Sequence, residues 1–399
     1  MFTDYDRFGR FMVLTIIINK TYGGVMSNRT TVFRRLPAVL VGGAMLTTAA
    51  VALAGCSAPA ASGASADGPT IVATTTQVGD FTRELVGDSA AVTQLLSPGQ
   101  SAHSFDPSAA QLLALSKADA LVVNGGGLES WLDDAVQASG FEGVLIDAST
   151  GIELQGTDDH DHDAEAHDEG EATEAADEHA EGDEHSEDAA HDEHAEGDDA
   201  AEHDHDHGSG NPHIWTDPEL AEHMVENIAD GIAELPGVDG DALAQNQADY
   251  LAKLDALDEW ITENVESVPV AERLLVTNHD AFTYFVDAYD VTFVGSVIPS
   301  FDDNAEPSAA EIDALVDRIR STAVAAVFSE ASISPKAAET IAAEAGVTVY
   351  SGPDALYGDS LGVEGSDGAT YLGSQLHNAR LILESWGVTP TAVPASLQG

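Results

Sequence analysis

Residues 273–297 read RLLVTNHDAFTYFVDAYDVTFVGSV. A β-rich run over 273–277 ends in Asn278-His279, an amphipathic stretch follows over 281–288, and a second β-rich run occupies 291–297. Strand, helix and strand in so short a span make a βα unit with parallel strands. Working toward the C-terminus, the unit repeats: helix over 308–321, strand over 324–328, helix over 335–345 with Gly346 as its stop signal, strand over 347–351 and a last helix over 370–384. Toward the N-terminus the same alternation predicts strands at 71–76, 91–96, 120–124 and 144–147 and helices at 81–86, 108–117 and 128–138. Between the two series lie helices over 218–235 and 241–268. The second carries Leu243, Tyr250, Leu251, Leu254, Leu257 and Ile261 at helical spacing and is long for a globular helix. The expected fold is α/β: two βα lobes, over 70–235 and 270–399, with parallel-type sheets joined by a long bridging helix within 236–269.

The first 56 residues have another character. Arg29, Arg34 and Arg35 precede an apolar, small-residue run over 36–55 that closes in Leu53-Ala54-Gly55-Cys56, the tripartite order of a secretory signal. Met26 is its natural start. Cys56 is the only cysteine, so no internal disulfide can form. Placed directly after small residues, it resembles the lipidated cysteine of a bacterial lipobox, and the Ser/Ala/Gly-rich stretch over 57–69 reads as a flexible tether. The expected location is therefore extracytoplasmic, on a lipid anchor at the outer face of a membrane.

The chain carries 70 acidic and 14 basic residues, a formal charge of -56. Phosphates would be repelled, which excludes nucleic acid as a partner and makes a cationic ligand natural. Part of the excess lies in an insert over 157–210, which is built from Asp, Glu, His, Ala and Gly without Lys or Arg. Such a segment cannot bury enough apolar surface to fold. Its imidazoles, among them His160, His162, His203, His205 and His207, make it an auxiliary collector of metal rather than a plain solvated spacer.

Of 15 histidines, five lie outside the insert: His103, His213, His223, His279 and His377. His103 and His279 follow strands, where open α/β sheets gather their ligand sites, and His213 lies just before a helix. His223 and His377 fall inside predicted helices and read as surface or packing residues. Residues 101–108, 211–218, 279–285, 306–308 and 357–362 resemble, in order, the recurring motifs of the zinc/manganese class of periplasmic substrate-binding proteins of ABC transporters. The resemblance extends from Thr70 to Trp386. It implies a metal ion held in the interlobe cleft by His103, His213, His279 and Asp359, although Ser104-Phe105-Asp106-Pro107 departs from the usual Tyr-Glu-Pro tail. It also implies a membrane permease with a cytoplasmic ATPase as partners, and a monomeric receptor.

Three imidazoles and one carboxylate suit tetrahedral Zn2+, whereas an oxygen-richer set favours Mn2+. In manganese-type relatives the third position is commonly glutamate; here it is His279. Glu330, which also ends a strand, is a candidate to orient a ligand. The competing readings are a manganese or iron receptor, a zinc hydrolase and a metal-storage surface protein or adhesin. No His-Glu-x-x-His helix and no nucleophile elbow supports a hydrolase, so no enzymatic activity is expected.

Overall fold

The computed structural model describes residues 68–155 and 210–398. The expected signal with Cys56, most of the tether, and the insert with His160, His162, His203, His205 and His207 lie outside the described residues.

The first lobe is a four-stranded parallel sheet. Its strands are β1 (Thr70–Ala73), β2 (Ala91–Gln94), β3 (Ala120–Val123) and β4 (Val144–Asp147), in the order β2-β1-β3-β4. The central strands β1 and β3 are apolar and almost wholly buried, as expected of parallel strands covered on both faces. Helices α1 (Thr76–Val86), α2 (Ala109–Leu115) and α3 (Leu132–Ser139) supply the crossovers.

Two predicted helix starts move by more than three residues. The β-branched run Thr74-Thr75-Thr76 reads as strand, but the Thr75 hydroxyl accepts from the Val78 amide at 3.3 Å and caps α1. The strand therefore ends at Ala73 and the helix starts five residues before the expected Phe81. Helix α3 starts at Leu132 rather than 128 because Gly125, Gly126 and Gly127 all adopt positive φ, and the Glu129 carboxylate takes the amides of Asn124 and Gly125.

A 3-10 turn at Ile214–Thr216 leads into α4 (Pro218–Ala233), capped by Asp217 with Pro218 in its first turn. The long helix α5 (Gly240–Glu266) follows, capped by Asp239. It buries Leu243, Tyr250, Leu254, Leu257, Trp260 and Ile261. It packs on α1 and α4 of the first lobe and on α9 (Tyr371–Ser385) of the second.

The second lobe holds two parallel pairs: β5 (Leu274–Thr277) with β6 (Thr292–Ser296), and β7 (Ala326–Phe328) with β8 (Thr348–Tyr350). Their helices are α6 (Thr283–Ala288), α7 (Ala309–Ser321) and α8 (Lys336–Ala345). Gly346 terminates α8 at φ 79°, its amide donating to the Ala342 carbonyl, as the sequence predicted.

One apolar core, including Phe81, Trp215, Tyr250, Leu257, Phe285 and Tyr371, runs without a break from the first lobe through α5 into the second. A smaller core around Val276, Leu315, Val327 and Ile341 belongs to the second lobe alone. Among the described residues no helix is long and apolar enough to cross a membrane.

Candidate metal site

The predicted residues arrive by separate routes. His103 lies in the loop between β2 and α2, His213 opens the 3-10 turn before α4, His279 follows β5, and Asp359 lies in the loop between β8 and α9. The fold brings all four together, with one donor atom from each within 4.8 Å of the others. His213 and His279 are 0% exposed and Asp359 1% exposed; His103 is partly covered.

The donor atoms stand close together. His103 Nε2 is 3.2 Å from His213 Nε2, which is 3.3 Å from His279 Nε2. Asp359 Oδ1 lies 3.0 Å from His213 Nε2 and 3.2 Å from His279 Nε2, and Oδ2 lies 3.7 Å from His103 Nε2. Ligands about 2.0–2.1 Å from a tetrahedral zinc ion stand about 3.3–3.4 Å from one another, because a tetrahedron's edge is about 1.63 times its radius. These five separations bracket that length.

Hydrogen bonds behind the rings decide which nitrogen faces the cluster. The Asn211 side-chain oxygen accepts both the His213 backbone amide, at 3.1 Å, and Nδ1 of the same ring, at 2.6 Å. The amide's orientation is fixed in turn, because Asn211 Nδ2 donates to the Asp280 carbonyl and the Thr283 hydroxyl. Glu330 repeats the device at His279: its Oε1 accepts the backbone amide at 3.0 Å and Nδ1 at 2.8 Å. With both Nδ1 atoms engaged, the two Nε2 atoms face each other across the cluster. His377 and His223 stay outside it: the first is buried with Nε2 on the Ala355 carbonyl, the second is exposed beside Glu226.

The electrostatics call for a cation. Burial pulls His213 down to about 4, only partly opposed by Asp359. Burial would do the same to His279, but the carboxylates of Asp359 and Glu330 outweigh it and raise its pKa well above the ordinary value. Burial pushes Asp359 upward, but His279 and His213 prevail and hold it well below the usual carboxylate range. Without a metal ion, the two carboxylates thus favour the protonated form of His279. Both Asp359 oxygens are buried, and the nearest groups to Oδ1 are the Nε2 atoms of His213 and His279.

The Asp359 loop belongs to the second lobe by sequence but is held by the first. The Gly358 carbonyl accepts from Gln77 Nε2 and Trp215 Nε1, the Leu361 amide donates to the Thr76 hydroxyl, and the Gly99 amide donates to the Ser360 hydroxyl. Asn124 donates to the Pro212 carbonyl and so ties the segment carrying His213 to the end of β3. Sequence reading singled out Glu330 but missed Asn211. The signal was present, since Asn two residues before His213 is the spacing of an Asx turn. A cleft of about 790 Å3 between α1, α5 and α9 includes none of the four clustered residues.

The sequence pattern of the family described as periplasmic component A of the zinc-uptake complex matches residues 71–385. Manganese-binding lipoprotein MntA of Halalkalibacterium halodurans is 27% identical over 336 residues, which cover 82% of this chain and 92% of that protein. Zinc-binding lipoprotein AdcA of Streptococcus pneumoniae is 28% identical over 283 residues; the match covers 69% of this chain but only 48% of AdcA. The solved structure of the periplasmic zinc-binding protein TroA of Treponema pallidum superposes with a TM-score of 0.62 at 22% identity, over 80% of this chain and 99% of that one, and so shares its fold. The chain belongs to the family of periplasmic component A proteins of zinc-uptake complexes.

Proposed function

We propose that this chain captures Zn2+ outside the cytoplasm through His103, His213, His279 and Asp359 and delivers it to an ABC-type permease driven by a cytoplasmic ATPase. The observation that carries the reading is the cluster of three imidazoles and one carboxylate, with five donor separations of 3.0–3.7 Å. Zinc is preferred to manganese because the set is rich in nitrogen and sized for a four-coordinate ion, whereas manganese favours six oxygen-rich ligands. The resemblance to MntA makes manganese the nearest alternative. A hydrolase reading is disfavoured because four protein ligands leave no coordination position for an attacking water.

In this account Cys56 carries the lipid that holds a monomeric receptor at the outer membrane face, and the His-rich insert raises the local zinc concentration without being the transport site. The core that runs through α5 from lobe to lobe supports a modest closure rather than a wide hinge swing. The metal preference is tested by equilibrating the chain with equal excess Zn2+ and Mn2+ and measuring the retained metal. Zinc retained at about one tight equivalent supports the reading; preferential retention of manganese refutes it.

A further inference from the structure

The two best-buried imidazoles of the cluster are held by the same device with one difference. Behind His213 a single oxygen of the neutral Asn211 amide takes both the backbone N–H and the ring Nδ1–H. Behind His279 a single oxygen of Glu330 does so. Glu330 is 1% exposed, and its second oxygen, Oε2, is buried without a donor. That oxygen lies against the backbone of Gly358, where an added Cβ would collide with it. One carboxylate thus touches His279 on one side and, on the other, the residue immediately before Asp359. An uncompensated buried carboxylate oxygen is costly unless it is matched by charge nearby. Three neutral imidazoles and the Asp359 carboxylate also leave a divalent ion one negative charge short of neutrality.

We propose that Glu330 is the positioning residue of the site: it holds His279 with Nε2 toward the ion, sets the backbone carrying Asp359 through its contact with Gly358, and supplies the missing negative charge. The inference rests on the four-residue zinc site proposed above. It explains why position 358 is glycine although no positive φ is required there: the carboxylate fills the space a side chain would take. It also assigns different tasks to the two supporting groups. Asn211 orients a neutral ring, while Glu330 orients a ring and raises its basicity as a donor to the metal.

The chain supplies the control, because Glu330→Gln turns the support of His279 into a copy of the amide support already found behind His213. Gln keeps one oxygen for both donors and loses the charge; Glu330→Ala loses both. The reporter is also built in. Trp215 lies 5.2 Å, centroid to centroid, from the His213 ring, so tryptophan fluorescence reads the cluster in the full chain. Zinc is titrated to one equivalent against a competing chelator, with circular dichroism confirming that each variant is folded.

Glu330→Ala is expected to weaken zinc about 10- to 100-fold, the loss typical of removing a group that orients a metal ligand, and Glu330→Gln to recover part of that loss. Gly358→Ala, which displaces the carboxylate without deleting it, should fall with Glu330→Ala. Affinity of Glu330→Ala within about threefold of the unmodified chain, or a Gln variant no better than the Ala variant, would overturn the positioning role. His279→Ala measured alongside keeps the two failures distinct. Its loss of tight binding with Glu330→Ala unaffected overturns the role of Glu330 alone, and its retention of tight binding overturns the zinc site on which that role depends.

Discussion

Zinc binding at pH 8 should release about one proton. The source is His279, whose pKa is raised well above the ordinary value: burial opposes its charge, but the flanking carboxylates of Asp359 and Glu330 prevail. The ion takes the Nε2 position and expels that proton. A histidine at the ordinary pKa of about 6.5 is almost wholly neutral at pH 8. His213, pulled down to about 4, is likewise neutral there. Below the pKa of His279 the apparent zinc affinity should change tenfold per pH unit, about 1.4 kcal/mol, and weaken as the pH falls. For the metal-free fold the sign is opposite. A raised histidine pKa contributes stability that is fully present below about pH 6.5 and is lost as the pH rises through the folded value. The assay is calorimetry of zinc binding at pH 8 in two buffers of different ionisation heat, whose difference in observed enthalpy gives the proton count. Asp359→Asn removes one flanking charge and should lower the count. A count of zero in the unmodified chain would show that His279 is neutral before zinc arrives and would refute the electrostatic reasoning.

Three further outcomes are expected. Glu129 is raised from 4.5 to about 7, by burial above all, so its folded form keeps a proton that the unfolded chain has lost between those values. Stability referable to it is present below pH 4.5 and lost as the pH rises to 7. Over that range, denaturant unfolding of the metal-free protein should show Glu129→Gln gaining about 3 kcal/mol on the unmodified chain. Leu257, 0% exposed on α5 in the core that spans both lobes, should cost about 3 kcal/mol when replaced by alanine, read by the same unfolding curves. Asn211→Ala removes two hydrogen bonds to His213 and two to Asp280 and Thr283. It should cost about 3 kcal/mol of metal-free stability and weaken zinc in chelator competition by at least about tenfold; unchanged stability and affinity would contradict its orienting role.

The alternation of β-rich and amphipathic runs was enough to place the parallel strands and their helices, and α5 was legible from Leu243, Tyr250, Leu254, Leu257 and Ile261 at helical spacing. What escaped was local capping and long-range assembly. Thr75 hid the start of α1 because a β-branched residue that ends a strand and one that caps a helix look alike in sequence; only the hydroxyl bond to Val78 tells them apart. Residues 128–131 read as the first turn of α3, but the Glu129 carboxylate takes the amides of Asn124 and Gly125 and delays the helix to Leu132. At the site, the histidines stood out because few remained outside the insert and because they lay by strand ends and a helix start. Asp359 did not stand out, since a carboxylate in a Gly/Ser loop usually forms a turn. Its loop is fixed by Thr76 and Gln77, some 280 residues earlier in the chain, a pairing that periodicity cannot reveal. The pairing of Glu330 with His279 is likewise a product of β5 and β7 lying side by side.

The most direct test of the central claim is zinc calorimetry on residues 57–399 with 157–210 removed, beside the same protein carrying His279→Ala. The account predicts one tight site that survives removal of the insert and is lost or greatly weakened in the variant. Absence of a tight site once the insert is gone would contradict it and assign the metal to the insert instead of the cleft.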